Sequence, residues 1–313
     1  MSSPAAHWEA LEPRWLFSAA LATSGTTPGI HWAGEPVAAV SLKPHPSHPK
    51  KTHHHSRTST KPVVATTAAT DATATPPIAG NWQTIFDDEF NGTTLNPVWH
   101  TAQYWDNSAT VVGNGELEAY DASGVSVSGG QLHLTARADN QYGVPYVSGL
   151  VMTGGEQSNP ALPTFSFQYG YMEVSAKIPK GQGLWPAIWM VPASYQDQNG
   201  EIDVMEVLGG NTNQPYFTVH RFGQLKQHTL IGSDLSAGFH TYAVDWEPNQ
   251  ITWYLDGVAV ATCTDQSLIP DVPMYPIMNL AVGGDWGGPP SSTTAFPATM
   301  DIDYIRVWQS ASA

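Results

Sequence analysis

Between Trp82 and Trp308, short runs of β-branched and aromatic residues alternate with turn clusters at intervals of roughly 8–12 residues. That rhythm constrains the chain more than any other feature, because it suits strands and leaves no room for long helices. Residues 131–136, 170–178, 239–246, 251–255 and 300–308 are the clearest runs. In each, apolar and polar side chains alternate with period two over much of the length, as a sheet with one buried face requires. Asp256-Gly257 between two such runs reads as a tight hairpin turn. No long stretch carries helical periodicity, and no glycine-rich loop feeds a helix. The predicted class is all-β, an antiparallel β-sandwich of two packed sheets. Because no second linker interrupts the runs, residues 79–313 read as one domain.

Residues 1–78 do not read as a folded unit. After Trp32 they become a tract of Pro, His, Thr, Ala and Lys, including His53-His54-His55, which cannot bury enough apolar surface to offset chain ordering. They are expected to be a disordered linker behind an export leader. The leader expectation rests on residues 11–19, which resemble an N-terminal export segment of some bacterial surface and secreted proteins, although Glu9 and Glu12 stand where a signal peptide is usually basic. A secreted or cell-surface location in a bacterium follows as an expectation. The apolar stretch 15–22 is far shorter than the roughly 20 residues that span a bilayer, so no membrane partner is expected.

Hydrophobic residues make up 41% of the chain and charged residues 12%, enough for a large core under an uncharged polar surface. The net charge of −15 is uneven. Residues 1–80 hold six Lys/Arg against four acids (+2), and the remainder six against 23 (−17). So acidic a domain repels phosphate backbones, which excludes nucleic acid as a partner and leaves neutral polymers acceptable. Cys263 is the one cysteine, so no intrachain disulfide forms; its apolar setting predicts a buried thiol. A monomer is expected.

The segment Glu201-Ile202-Asp203-Val204-Met205-Glu206 carries the chemistry. On a helix its three acids would share no face. On a regular strand Glu201 and Asp203 share a face and Glu206 points the other way. All three converge only if one extra residue near Val204 and Met205 is absorbed in a β-bulge. Clustered acids repel, which makes a structural role a poor use of them. Glycoside hydrolysis, by contrast, needs one ionised carboxylate and one protonated acid about the scissile bond. A calcium site is the rival reading, but such sites favour loops with carbonyl ligands, and this run is apolar between its acids.

The hexad matches the E-x-D-x-x-E signature of glycoside hydrolase family 16 in its bulged, laminarinase-like form. Further landmarks in order are 86–92, 114–118, 169–173, 183–190, 282–287 and 300–307. The resemblance implies a concanavalin-like β-jelly roll with a glucan cleft on its concave face. It also implies a retaining endo-β-glucanase acting on β-1,3- or mixed β-1,3-1,4-glucan, with Glu201 as nucleophile, Glu206 as general acid/base and Asp203 assisting. No cofactor is needed for catalysis. A structural Ca²⁺ is implied on the convex side, held by Asp303 and the backbone carbonyls of Glu89 and Gly130. Leu150 stands where related laminarinases often carry arginine, which leaves the choice among laminarin, mixed-linkage glucan and marine galactans open.

Trp185 and Trp189, four apart around Pro186, fall on one strand face and suit stacking on sugar rings. Trp286 in a glycine-rich loop, His220 and Asn114 are further candidate sugar contacts. Trp246, Trp253 and Trp308 sit in alternating strands and read as core, while His133 and His240 read as structural. Two rival functions remain at this level, a transglycosylase using the same covalent intermediate and a non-catalytic lectin-type module.

Overall fold

A computed structural model describes residues 75–102, 109–111, 115–155, 163–194 and 200–311. The leader, the histidine-rich tract and Asn114 lie outside them. In chain order the strands are β1 (Trp82–Asp88), β2 (Ala109–Val111), β3 (Glu118–Asp121), β4 (Val125–Ser128), β5 (Gln131–Ala138), β6 (Tyr146–Ser148) and β7 (Leu150–Met152). They continue with β8 (Gly170–Lys177), β9 (Leu184–Pro192), β10 (Glu201–Val207), β11 (Pro215–Arg221), β12 (Gln224–Thr229), β13 (His240–Glu247), β14 (Gln250–Leu255) and β15 (Val258–Cys263). The last are β16 (Met274–Val282) and β17 (Ala298–Ser310), with one helical turn, α1 (Gly284–Gly287), between them.

Two sheets form a jelly roll. The larger runs β15-β14-β13-β8-β17-β5-β6-β3-β2, with β1 also on β17 and β4 on β5; the smaller runs β12-β11-β10-β9-β16-β7. All pairs are antiparallel except β3 with β6, which refines the purely antiparallel expectation. The core is filled by alternate residues, such as Leu132, Leu134 and Ala136 from β5, Val244 and Trp246 from β13, and Phe217 and Val219 from β11. Cys263 is a buried free thiol within it. The strands β9, β10 and β16 are buried along nearly their whole length. Their outer face is recessed as well, so β9 and β16 read as apolar runs that alternate poorly.

Trp246 and Trp253 lie in the main core, and Trp308 packs on the outer face of the large sheet with Tyr171 and Ala243. Ile78 joins that outer cluster and Pro76 is buried, so packing begins at the end of the segment read as linker. At the β14–β15 turn, Asp256 (φ 51°) and Gly257 (φ 72°) are both left-handed, as an Asp-Gly hairpin requires. His240 Nδ1 stands 2.8 Å from Asp256, and His133 Nδ1 stands 2.8 Å from Asp301. Both histidines are engaged in tying strands together.

Candidate active site

The strand β10 carries the carboxylates on the outer face of the small sheet. Ile202, Val204, Met205 and Val207 all enter the core, so two consecutive side chains point inward. The register accounts for this. Asp203 pairs with Thr218 and Glu206 with Tyr216, three steps on β10 against two on β11. Against β9, Asp203 pairs with Trp189 and Met205 with Ile188, two steps against one. One extra residue is absorbed at Val204 and Met205, and Glu206 returns to the face of Glu201 and Asp203. The backbone carbonyl of Asp203, at the start of the bulge, accepts a 2.8 Å bond from Trp253 Nε1 across the core.

Glu201, Asp203 and Glu206 are 3%, 2% and 4% exposed. Burial pushes the Glu201 carboxyl well up, and Asp203 and Glu206 push it further. Burial also pushes Glu206 up, Asp203 adds to this, and a hydrogen bond from Trp185 opposes it. The three cannot all be ionised together at modest cost, so the cluster holds a proton into the range where free carboxyls have lost theirs. Its environment is asymmetric. His220 Nε2 stands 3.0 Å from Asp203 Oδ2 and 3.8 Å from Glu201 Oε1, while Glu206 Oε1 accepts from Trp185 Nε1 at 3.2 Å. The basic ring therefore sits with Glu201 and Asp203, and Glu206 has a neutral donor. Glu201, Asp203 and His220 also bring ligand atoms within 4.8 Å of one another.

Aromatic rings flank the acids. Trp286 packs edge-on against Trp185 (centroids 5.3 Å apart) and Tyr216 (4.6 Å). The α1 turn can approach that closely because Gly284 has no side chain; a Cβ there would lie 3.0 Å from the Trp185 ring. Trp189 is held by a chain of hydrogen bonds. Its Nε1 donates to Asn279 Oδ1 (2.8 Å), Asn279 Nδ2 donates to Tyr120 Oη (2.8 Å), and Tyr120 Oη donates to Glu116 Oε2 (3.2 Å). Beneath it Glu118 is fully buried and accepts the Val282 N–H at 2.8 Å. Leu150 packs with Tyr120, Met152, Val191, Tyr275 and Ile277 in an apolar cluster against Trp189.

The structure thus gathers Glu201, Asp203, Glu206, Trp185, Trp189, Trp286 and His220 on one side of the small sheet. His220 stands against the Glu201–Asp203 pair rather than against Glu206. Tyr216, Asn279, Tyr120 and Glu116 were not singled out from sequence. Asn279 had a usable signal, as a lone amide in the apolar run 274–282.

The three residues expected to hold calcium lie elsewhere, along β17. β8 pairs with 301–308 on one edge of that strand, so β5 (at 298–302) and β1 (at 305–310) share the other edge end to end. Gly130 precedes β5 and Glu89 follows β1, so both flank the gap opposite Asp303 and Tyr304. The Glu89 carboxylate is taken by Arg306 at 2.6 Å, which leaves its carbonyl as the available donor. One carboxylate with two carbonyls is a hard-oxygen set that fits Ca²⁺.

Residues 119–306 match the profile of the glycosyl hydrolases family 16, and residues 26–194 match that of the beta-glucan synthesis-associated protein SKN1/KRE6/Sbg1. A beta-glucanase of Rhodothermus marinus is 32% identical over 259 residues, 74% of this chain and 86% of the relative. Glucan endo-1,3-beta-glucosidase A1 of Niallia circulans is 34% identical over 276 residues, which cover 76% of this chain but 39% of that longer protein. The X-ray structure of endo-beta-1,3-glucanase from Pyrococcus furiosus superposes with a TM-score of 0.65 at 32% identity, covering 75% of this chain and 98% of that one.

Proposed function

The chain belongs to the glycosyl hydrolases of family 16 and is an endo-acting glycoside hydrolase; we propose that it cleaves β-1,3- or mixed β-1,3-1,4-glucan by retaining double displacement. The observation that carries this reading is the bulge, which sets Glu201 and Glu206 on one face in unlike surroundings. Glu201, beside His220, is the group to be ionised. Glu206, pushed up by burial, Asp203 and Glu116 against the lowering bond from Trp185, is on this reading the one to hold the proton. Glu201 attacks the anomeric carbon as the glycosidic C–O bond breaks and Glu206 protonates the leaving oxygen. Glu206 then takes a proton from water, which attacks the glycosyl ester and frees Glu201 with the configuration retained. Asp203, tied to His220, keeps Glu201 oriented.

The cleft face favours a neutral polymer. β9 offers Trp185 and Trp189, β10 three acids, β11 Tyr216, Thr218 and His220, and β16 Asn279. A sulfated or uronic chain would meet carboxylates there, so a plain glucan is the better fit than an anionic galactan. Relatives named as glucanases and glucosidases of β-1,3 chains support the same substrate class. A second reading, transfer of the glycosyl group to another sugar, draws support from the overlap with a β-glucan synthesis-associated profile.

A panel of laminarin, barley β-glucan, lichenan, agarose and carrageenan tests this directly. Reducing ends are expected from the glucans, and product masses above the substrate's would mark transfer. Glu201→Gln is expected to lower kcat/KM on the best glucan by about 10³-fold or more. A variant that hydrolyses at near wild-type rate would remove Glu201 from its role. The Asp303 site is, on the same reading, a structural Ca²⁺ site with the carbonyls of Glu89 and Gly130.

A further inference from the structure

Glu201 and His220 are direct cross-strand partners on β10 and β11, and Asp203 stands opposite Thr218 on the same face. Direct partners hold their Cβ atoms about 4.5–5.5 Å apart, so the fold itself brings one imidazole and two carboxylates together. His220 Nε2 lies 3.0 Å from Asp203 Oδ2 and 3.8 Å from Glu201 Oε1. Atoms held about 2.0–2.2 Å from a tetrahedral ion stand roughly 3.3–3.6 Å from one another. The two observed distances bracket that spacing, and one ligand atom from each residue falls within 4.8 Å of the others.

Two further features mark a site and not merely a crowd of acids. Glu201 Oε2 is buried and has no hydrogen-bond partner among the described residues. A carboxylate oxygen in that state carries an unmet electrostatic cost, which a cation beside it would relieve. The ligands are also held in place beforehand. All three stand on paired strands, and the Asp203 carbonyl is anchored by Trp253, so binding an ion orders little that is not already ordered. The His220 side chain keeps 15% exposure, more than either acid, so the imidazole is the ligand nearest solvent. One imidazole and two carboxylates suit a borderline divalent cation such as Zn²⁺, with water in the fourth position. Ca²⁺ asks for about six to eight oxygen ligands and is a poor match.

We infer that Glu201, Asp203 and His220 form an inhibitory site for a zinc-type divalent cation. The inhibition, though not the binding, rests on the glycosidase reading above. An ion there takes the place of the proton in the His220–Asp203 hydrogen bond and engages the Glu201 carboxylate. The lone pairs that would attack the anomeric carbon are then committed to the metal. Removing the ion returns the nucleophile, so the block is reversible and competes with the sugar.

The test uses the full chain with calcium in excess, so that the Asp303 position is not the variable. Zn²⁺ is expected to inhibit hydrolysis of the best glucan by raising KM with kcat unchanged, and a zinc-selective chelator should restore the rate. It should also raise the melting temperature of the wild type by about 2–4 °C or more. In His220→Gln the zinc inhibition constant is expected to rise about tenfold or more, since even the loss of an outer partner of a metal ligand costs that much. The melting shift should vanish in both His220→Gln and Glu201→Gln, which reads zinc binding whether or not the variant turns over. Equal inhibition or equal melting shifts in wild type and variants would overturn the site and send the metal elsewhere, such as to His53-His54-His55. So would a wild type that zinc neither inhibits nor stabilises. If the wild type cleaves no β-glucan, the substrate reading fails by itself, and the melting shifts alone judge the metal site.

Discussion

Trp185 is the side chain that tunes Glu206, the proposed acid/base. Its Nε1–H bond to Glu206 favours the ionised carboxylate against the upward push of burial and of Asp203. Trp185→Phe removes that donor, so Glu206 should keep its proton to higher pH. The basic limb of the kcat/KM profile is then expected to move upward while the maximum falls as the carboxyl loses its anchor. A limb that moves down would mean that a different group is the acid. From sequence, Trp185 could be read only as a sugar platform. Its bond to Glu206 spans 21 positions, and the bond from Asn279 to Tyr120 spans 159. Periodicity has no means of pairing side chains so far apart. The lone polarity of Asn279 in an apolar strand was visible; what it held was not.

The bulge in β10 was legible because polarity follows side-chain direction. Acids at 201, 203 and 206 with apolar residues at 202, 204, 205 and 207 cannot lie on a flat strand without burying a carboxylate in the core. Its anchor was hidden. Trp253 fills the core as its alternation implied, yet its indole N–H also holds the Asp203 carbonyl at 2.8 Å. Trp253→Phe keeps most of the packing and leaves that carbonyl without its donor. A loss of about 1–2 kcal/mol in denaturant unfolding is expected, with a fall in kcat as the bulge loosens. Unchanged kcat in a destabilised variant would show that the bulge holds its shape without this bond. The doubly covered strands were harder to read, and so was the parallel β3–β6 pair, since a three-residue contact between strands far apart in sequence leaves no local pattern.

The long strand β17 gathers distant parts of the chain, with β5 and β1 meeting end to end along one edge and β8 along the other. A cation at Asp303 would clamp that meeting point, tying the first strand to the last. Differential scanning calorimetry is expected to show melting about 2–4 °C or more higher in calcium than in chelator. Asp303→Asn should abolish the difference, and no difference in the wild type would dismiss the site.

Fold class, the position of the carboxylates and the need for a bulge were already written in the order of side chains, because alternation, turn chemistry and the cost of burying a charge all act locally. The division of labour inside the trio was not. Which acid meets His220, which meets Trp185, and how Trp189 is braced depend on strands brought together from across the chain. Local physics chose the strands; the pairing between them set the electrostatics on which the chemistry rests.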